Sequence, residues 1–288
     1  MANDPFEFVG LIGWPVEHSV SPTMHNAAFD ALGLRWRYTL WPTPPGNVAT
    51  ALDDLRAAGY RGANVTVPHK QAVLPYLQEI SDTARAIGAV NTIVLQAGGW
   101  SGHNTDGQGF LAALQEAGFR PEGQRALVLG AGGGARSVVY ALARAGSAVT
   151  IYNRTGPRAQ ALAQDMAGLD LPVSVAFALA ELDLKRFGLL VNATSVGMWP
   201  QVEASPWPAA FPLPGHWTVF DLVYNPAETR LLAQARAVGA ATISGLGMLV
   251  HQGALAFELW TGRKPPIELM RAAAERALQH RDLPQESG

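Results

Sequence analysis

The sequence predicts an α/β protein of two domains, and three observations carry that prediction. Short apolar runs of strand length alternate along the chain with segments of helical periodicity. Within Arg125 to Ala145, the run Ala126–Leu129 meets Gly130-Ala131-Gly132-Gly133-Gly134-Ala135, and Val138 to Ala145 resumes with helical spacing. The chain has 288 residues, 48% of them hydrophobic, enough for two domains of ordinary size with substantial cores.

Strand, glycine turn and helix in that order turn a weak G-x-G-x-x-A match into a specific one. Gly130 permits the tight turn, Gly132 lets backbone N–H groups approach a pyrophosphate, and small Ala135 lets the helix sit close on the strand. The anion then rests on a helix N-terminus, where unpaired N–H groups and the helix dipole favour negative charge. The stretch therefore reads as a dinucleotide-binding turn rather than a loop that merely turns a corner.

Composition narrows the class. A charged fraction of 15% and a net charge of −2 give no nucleic-acid footprint. Cysteine is absent, which removes disulfides, thiol nucleophiles and cysteine metal sites. Seven scattered histidines show no ligand spacing, so no metal is expected. The start, MANDPFEFVG, is acidic where a signal peptide is basic, and the apolar runs are cut short of a membrane span. A cytoplasmic protein without membrane partners is the expectation.

From the start, Glu7–Gly13 reads as a strand, followed by a loop through His18, Ser19 and Ser21. Ser21 before Pro22 looks like a helix N-cap, with the helix running through Met24 and Ala28 to Gly33. Ser19 has no such structural duty, and two hydroxyls beside a helix N-terminus could hold a carboxylate, although this stretch alone favours the structural reading. Arg37–Trp41 is a second strand, and Asn47 caps a helix over Val48–Ala58. Gly62–Pro68 alternates as a third strand, with Asn64 and Thr66 on one face and Val65 and Val67 on the other. His69-Lys70 then enters a short helix. Polar groups at a strand's carboxyl end with a lysine just beyond sit where α/β sheets bind ligands, although a lysine is also the commonest of solvated surface charges.

Ser81–Ile87 is helical; Val90–Leu95 and Ser101–Asn104 form a hairpin about Ala97–Trp100. Asn104-Thr105-Asp106-Gly107 leads into a helix, in whose first turn a carboxylate is also ordinary. Beyond the glycine turn, Ala148–Tyr152 is a strand ending in Asn153-Arg154-Thr155-Gly-Pro-Arg158. A site for NAD wants an acidic residue about 20 residues past the glycines, to hold the ribose 2′-hydroxyl. No carboxylate occurs between Glu122 and Asp165, and Arg154 and Arg158 occupy the region. Two guanidiniums suit a 2′-phosphate, so the cofactor expected is NADP. Val173–Phe177 is an edge strand, and Gly188–Ala193 an apolar strand running into Thr194–Met198. The proline-rich stretch Trp199–Trp217 is a long loop, Trp217–Asp221 a strand, Glu228–Val238 a helix and Ala241–Ile243 the last strand. Gly245 and Met248 open a helix carrying Gln252, and Pro265-Pro266 starts a terminal helix with a polar tail.

With SVSP, NVTVPHK, AVNT, NTDG, GAGGGARS, NRT, NATSVGM, DLVYNP and GLGMLVHQGA in one order, the chain resembles the shikimate dehydrogenases from about Gly10 to Gly262. The resemblance implies that Ser19 and Ser21 hold a substrate carboxylate, Ser21 serving as cap as well. Asn64, Thr66, Asn91, Asp106 and Gln252 would meet ring hydroxyls, with Tyr224 nearby. Lys70 and Asp106 would be the catalytic pair, the carboxylate favouring the charged lysine. NADP would lie on Gly130 to Ala135 with Asn153, Arg154, Thr155 and Arg158; Thr194, Met198, Gly245 and Met248 belong to the same cofactor set. Gly134 and Ser137 stand where alanine is common in the family.

The expectation is then an α/β substrate domain with a mixed sheet, residues 1–105 with 246–288, and a Rossmann-like doubly wound NADP domain, residues 106–245, around a cleft. The reaction would be NADP-linked reduction of 3-dehydroshikimate to shikimate, by a monomer or homodimer. Three rivals stand beside it. A quinate/shikimate dehydrogenase using NAD is opposed by the arginines. A methylenetetrahydrofolate dehydrogenase is opposed by the serine pair and NVTVPHK. A non-catalytic NADP-binding sensor would be expected to lose Lys70 or Asp106.

Overall fold

The computed structural model describes residues 5–282; the polar tail expected from 283 on lies outside them. The chain packs as two compact units, one running to Thr105 and resuming at Val250, the other spanning Asp106–Leu249.

The first unit opens with β1 (Glu7–Gly13), α1 (Ser21–Ala31), β2 (Trp36–Pro42), α2 (Val48–Ala57) and β3 (Tyr60–Val65). These strands are parallel, in the order β2-β1-β3. After β4 (Glu79–Ile80) and α3 (Asp82–Ile87), the hairpin of β5 (Thr92–Gln96) and β6 (Gly99–His103) adds antiparallel to β3, giving the mixed sheet β2-β1-β3-β5-β6-β4. Ile12, Val65, Ile93, Leu52, Leu55 and Trp100 share one core, each such fully buried side chain worth about 1.5–3 kcal/mol. β4 went unread in the sequence, because two residues carry no periodicity.

Three local expectations are corrected. Ser21 is not the N-cap of α1: the cap position is Val20, without a side-chain cap bond, and Ser21 is already helical. Instead the Ser21 N–H donates to Ser19 Oγ at 3.2 Å, so the preceding serine meets an orphan donor of that helix. Asn47 does sit at the N-cap of α2, but its side chain makes no cap bond. The expected helix at His69-Lys70 is a run of turns ending in a short 3-10 segment, Leu74–Tyr76.

The second unit begins with α4 (Asp106–Glu116) and continues as β7 (Arg125–Leu129), α5 (Gly133–Arg144), β8 (Ala148–Tyr152), α6 (Gly156–Ala167), β9 (Val173–Ala176), β10 (Leu189–Asn192), β11 (Thr218–Asp221), α7 (Arg230–Ala237) and β12 (Ala241–Ser244). Its six strands are all parallel, ordered β12-β11-β10-β7-β8-β9. Counted from β7 this is 3-2-1-4-5-6 reversed end for end, the doubly wound order. In β7 four successive residues, Ala126–Leu129, are apolar and buried because both faces of the sheet are covered. Ala126 and Val128 pack with α5 and α6 on one side, Leu127 and Leu129 with α7 on the other. The proline-rich stretch is a loop without helix or strand, yet Trp207, Leu213 and Trp217 seal that second face. α6 went unassigned in the sequence, although Ala159, Leu162 and Met166 mark its buried stripe.

The chain then crosses back within α8 (Gly245–Thr261) and ends in α9 (Ile267–Asp282). The crossing falls between Leu249 and Val250 rather than at 245/246. Met248 still belongs to the core of the second unit, which carries the boundary one turn into the helix.

Candidate active site

In the first unit, one end of the sheet collects polar side chains: the carboxyl ends of β3 and β6 and the amino end of antiparallel β5. Asn64 is 6% exposed. Its Oδ1 accepts from the Tyr38 hydroxyl at 2.9 Å, while Nδ2 donates to the Asn91 carbonyl at 3.2 Å and Thr92 Oγ1 at 3.1 Å. Thr92 Oγ1 in turn donates to Asn91 Oδ1 at 3.1 Å. Asn91 Nδ2 donates to Thr105 Oγ1 at 2.9 Å and to Gln252 Oε1 at 3.1 Å, and its Oδ1 accepts from the Thr105 N–H at 2.8 Å. Asn64, Asn91 and Gln252, singled out separately in the sequence, thus belong to one buried network. Tyr38, Thr92 and Thr105 complete it, and sequence reasoning missed all three in this role.

Ser19 is half-buried just before α1, and Ser21, the first residue of that helix, is buried. Thr66 continues from β3 half-buried, its N–H donating to the Ile12 carbonyl at 2.8 Å. Three residues later the neighbours part. His69 is buried, with Nε2 at 2.6 Å from the Thr43 carbonyl. Lys70 is only half-buried, its carbonyl fixed by the Val90 N–H at 2.8 Å. His69 is thereby a structural residue, and Lys70 is the more exposed of the two.

In the second unit, Asp106 is the buried first residue of α4. Gly130 has φ of +114°, a conformation that disfavours side chains, and a Cβ there would stand 3.0 Å from the Ala193 carbonyl oxygen. Around Gly132 a Cβ would meet nothing within 4 Å, so the backbone is open to a ligand. Gly132 is the N-cap of α5 and has no side chain to occupy the helix's first N–H groups. Ala131, Gly133 and Gly134 keep this turn small, and Ala135 is fully buried where α5 meets the sheet. Beyond β8, Asn153 Nδ2 donates to the Thr155 carbonyl at 2.9 Å, shaping the turn that presents Arg154 and Arg158, both exposed. Neither arginine has an ion pair among the described residues. By contrast Arg136, just inside α5, is committed to Asp165 at 2.6 Å.

A second node lies at the carboxyl ends of β10 and β11. Asn192 Oδ1 accepts from the Thr194 N–H at 3.0 Å and hydroxyl at 2.7 Å, holding the loop that carries Met198. Asn192 Nδ2 donates to Asp221 Oδ1 at 2.8 Å, and Asp221 also accepts from the Val223 N–H and the Thr229 hydroxyl. Burial raises the Asp221 carboxyl to about 6, against the pull of these three donors. Tyr224 follows Asp221 in the loop after β11, half-buried. At Gly245 a Cβ would stand 2.1 Å from the Leu222 carbonyl oxygen, so only glycine lets α8 start against that turn. Met198 is 40% exposed and Met248 buried. Asp221 stands first in the DLVYNP motif, but its place in this bonded node was not read from the sequence.

A doubly wound parallel sheet whose glycine turn opens an uncapped helix N-terminus, followed by two exposed guanidiniums, defines a dinucleotide-binding protein of the Rossmann class. The glycine cradle and the arginines fit a pyrophosphate and a 2′-phosphate.

Comparison with known proteins narrows the class to one family. Residues 11–93 match the shikimate dehydrogenase substrate binding domain, 112–197 the shikimate/quinate 5-dehydrogenase model, and 245–275 the shikimate 5′-dehydrogenase C-terminal domain. The shikimate dehydrogenase (NADP(+)) of Moorella thermoacetica is 51% identical over 275 residues, covering 94% of this chain and 93% of the relative. That of Symbiobacterium thermophilum is 48% identical over 281 residues, 96% of either chain. The shikimate 5-dehydrogenase of Thermus thermophilus, crystallised with NADP(H) and shikimate, superposes with a TM-score of 0.84 at 43% identity, covering 95% of this chain and all of that one. The chain belongs to the shikimate dehydrogenase family.

Proposed function

We propose that this protein catalyses the reversible, NADP-dependent reduction of 3-dehydroshikimate to shikimate, a step of aromatic amino-acid biosynthesis, in the cytoplasm, where NADPH is at hand. The observation that carries the reading is the buried amide network of Asn64, Asn91 and Gln252 at one end of the mixed sheet, in a chain of this family. A polyhydroxylated ring needs many oriented donors and acceptors, and these side chains are held in fixed directions by one another.

In this reading the first unit binds substrate and the second binds NADP. Ser19 and Ser21 donate to the carboxylate at the start of α1, where the helix dipole adds to their pull. Asn64, Thr66, Asn91 and Gln252 address the ring hydroxyls, with Tyr224 as a further contact. The turn Gly130–Ala135 holds the pyrophosphate, Asn153, Arg154, Thr155 and Arg158 the adenosine end, and Thr194, Met198, Gly245 and Met248 the nicotinamide end. The bound dinucleotide supplies or accepts the hydride. Lys70, as ammonium, donates a proton to the carbonyl oxygen as it becomes a hydroxyl and retrieves it in the reverse direction. Asp106 is the second catalytic residue.

The test is a spectrophotometric assay of shikimate oxidation with NADP, on wild type, Lys70→Met and His69→Ala. Lys70→Met lowers kcat by roughly 10²–10⁴ with a smaller change in KM. His69→Ala costs stability, because it opens a cavity and orphans the Thr43 carbonyl, but folded enzyme keeps most of its turnover. Near-normal kcat in Lys70→Met ends the lysine mechanism.

A further inference from the structure

We infer that Tyr38 is a positioning residue for the substrate, which together with Thr92 fixes the orientation of the Asn64 amide; the inference rests on the substrate reading given above. An amide side chain can present either its oxygen or its nitrogen to a ligand, and the two ends ask for opposite partners. At Asn64 that choice is settled from both sides. The Tyr38 hydroxyl, whose oxygen lies 2.9 Å from Oδ1, has the proton to give, while Nδ2 faces the Asn91 carbonyl and Thr92 Oγ1. With both Nδ2 hydrogens engaged, what Asn64 has left to offer is the remaining acceptor capacity of Oδ1. It therefore selects a ligand hydroxyl that donates.

Tyr38 is itself held in place by ring stacking and by its backbone bonds. It lies 2% exposed in β2. Its ring stacks on His25 of α1, centroids 4.5 Å apart and planes within 4°. Its backbone is clasped by Asn26 of the same helix, which donates from Nδ2 to the Tyr38 carbonyl at 3.1 Å and accepts the Tyr38 N–H at 2.8 Å. Ser21 lies on that helix four residues before His25. The phenol is thus a rigid link from the helix that begins at Ser21 to the amide that addresses the ring. Substrate groups at the two ends of one small ring require a fixed spacing between their anchors, and Tyr38 supplies it.

Steady-state kinetics of Tyr38→Phe tests this, since the change removes one oxygen and leaves the ring stack intact. The KM for shikimate rises about tenfold, as expected for one buried hydrogen bond, while the KM for NADP stays within about twofold and kcat changes little. In an Asn64→Ala background the same substitution adds nothing, because the group it positions is gone. Thr92→Val, which removes the hydroxyl on the other side of the amide, shifts the shikimate KM in the same direction and carries the test should Tyr38→Phe fail to fold. An unchanged shikimate KM in the variant that folds, or an equal rise with and without Asn64, overturns the inference. Wild-type protein that does not oxidise shikimate with NADP overturns the functional reading instead, so the two failures are separable.

Discussion

Replacing His25 by leucine isolates one proton-linked contribution to the stability of the first unit. His25 is fully buried on α1, between Tyr38 and Phe257 and tilted against Trp260, and neither ring nitrogen has a hydrogen-bond partner among the described residues. Burial alone drives its pKa from 6.5 to about 3. The unfolded chain therefore takes up a proton below about pH 6.5 that the folded protein refuses until about pH 3. Stability contributed by the neutral ring is intact above the unfolded pKa and falls as the pH drops through that window. At about pH 5 the loss is RT ln(1 + 10^1.5), about 2 kcal/mol, and it approaches about 5 kcal/mol near pH 3. The leucine variant lacks this linkage. Its stability at neutral pH mixes lost ring packing with relief of two unsatisfied nitrogens, but its difference from wild type changes with pH only through the histidine. Urea unfolding at about pH 7.5 and about pH 5, followed by tryptophan fluorescence, yields that difference at each pH. The variant gains about 2 kcal/mol on wild type between the two conditions. A difference that does not move with pH refutes the reasoning, and means that the ring finds a partner or water when charged.

The remaining predictions are independent of that one. Arg154→Ala and Arg158→Ala each weaken NADP by about ten- to a hundredfold and NAD far less, by the worth of a charge-assisted hydrogen bond; equal losses for both cofactors, measured by titration, dismiss the 2′-phosphate assignment. Ser19→Ala and Ser21→Ala both raise the KM for shikimate. Because Ser19, not Ser21, meets the helix N–H, only Ser19→Ala also lowers the thermal midpoint, by the worth of a cap, about 1 kcal/mol. Asp221→Asn alters the pH dependence with the opposite sign to His25. A carboxyl raised from 3.8 to about 6 lends stability below its unfolded pKa that is lost as pH rises through about 6, roughly 3 kcal/mol in all. Unfolding curves of the asparagine variant that keep the wild-type slope between about pH 4 and about pH 6 contradict it.

What could be read from the sequence was what short-range rules govern. The run into Gly130, the turn and the start of α5 are one local unit, so strand, glycines and helix fell where their spacing put them. Ala148–Tyr152 is bounded by a glycine-containing turn on one side and a polar loop on the other, and its limits agree residue for residue with β8. Ser21 shows the limit of such rules: Ser-Pro fits a cap equally well one residue earlier, and only the Ser19 bond decides. Lys70 shows another, since turns closed by distant backbone partners such as Val90 carry no periodicity. The pairing of Asn91 with Gln252 joins residues 161 apart, and nothing near either one announces the other. Likewise Trp207 and Trp217 sit in a stretch with no periodic pattern yet complete a core, because the sheet face, not the loop, dictates that something apolar must cover it.

The bonds of Asn91 also bear on how the chain could be recut. Thr105 is the last residue of the first unit before the chain leaves it, and Gln252 is the third residue after it returns. One amide donates to both, and their side-chain oxygens lie 3.5 Å apart. Residues 106–249 are thus an insertion whose entry and exit stand within side-chain reach of each other. A loop of a few residues suffices to bridge such a gap. Excising the insertion and closing Thr105 to Val250 leaves all six strands of the mixed sheet and the bonds among Asn64, Thr92, Asn91, Thr105 and Gln252 in place. The same seam offers a grafting point, where a foreign domain with closely spaced termini can be carried without stretching the host.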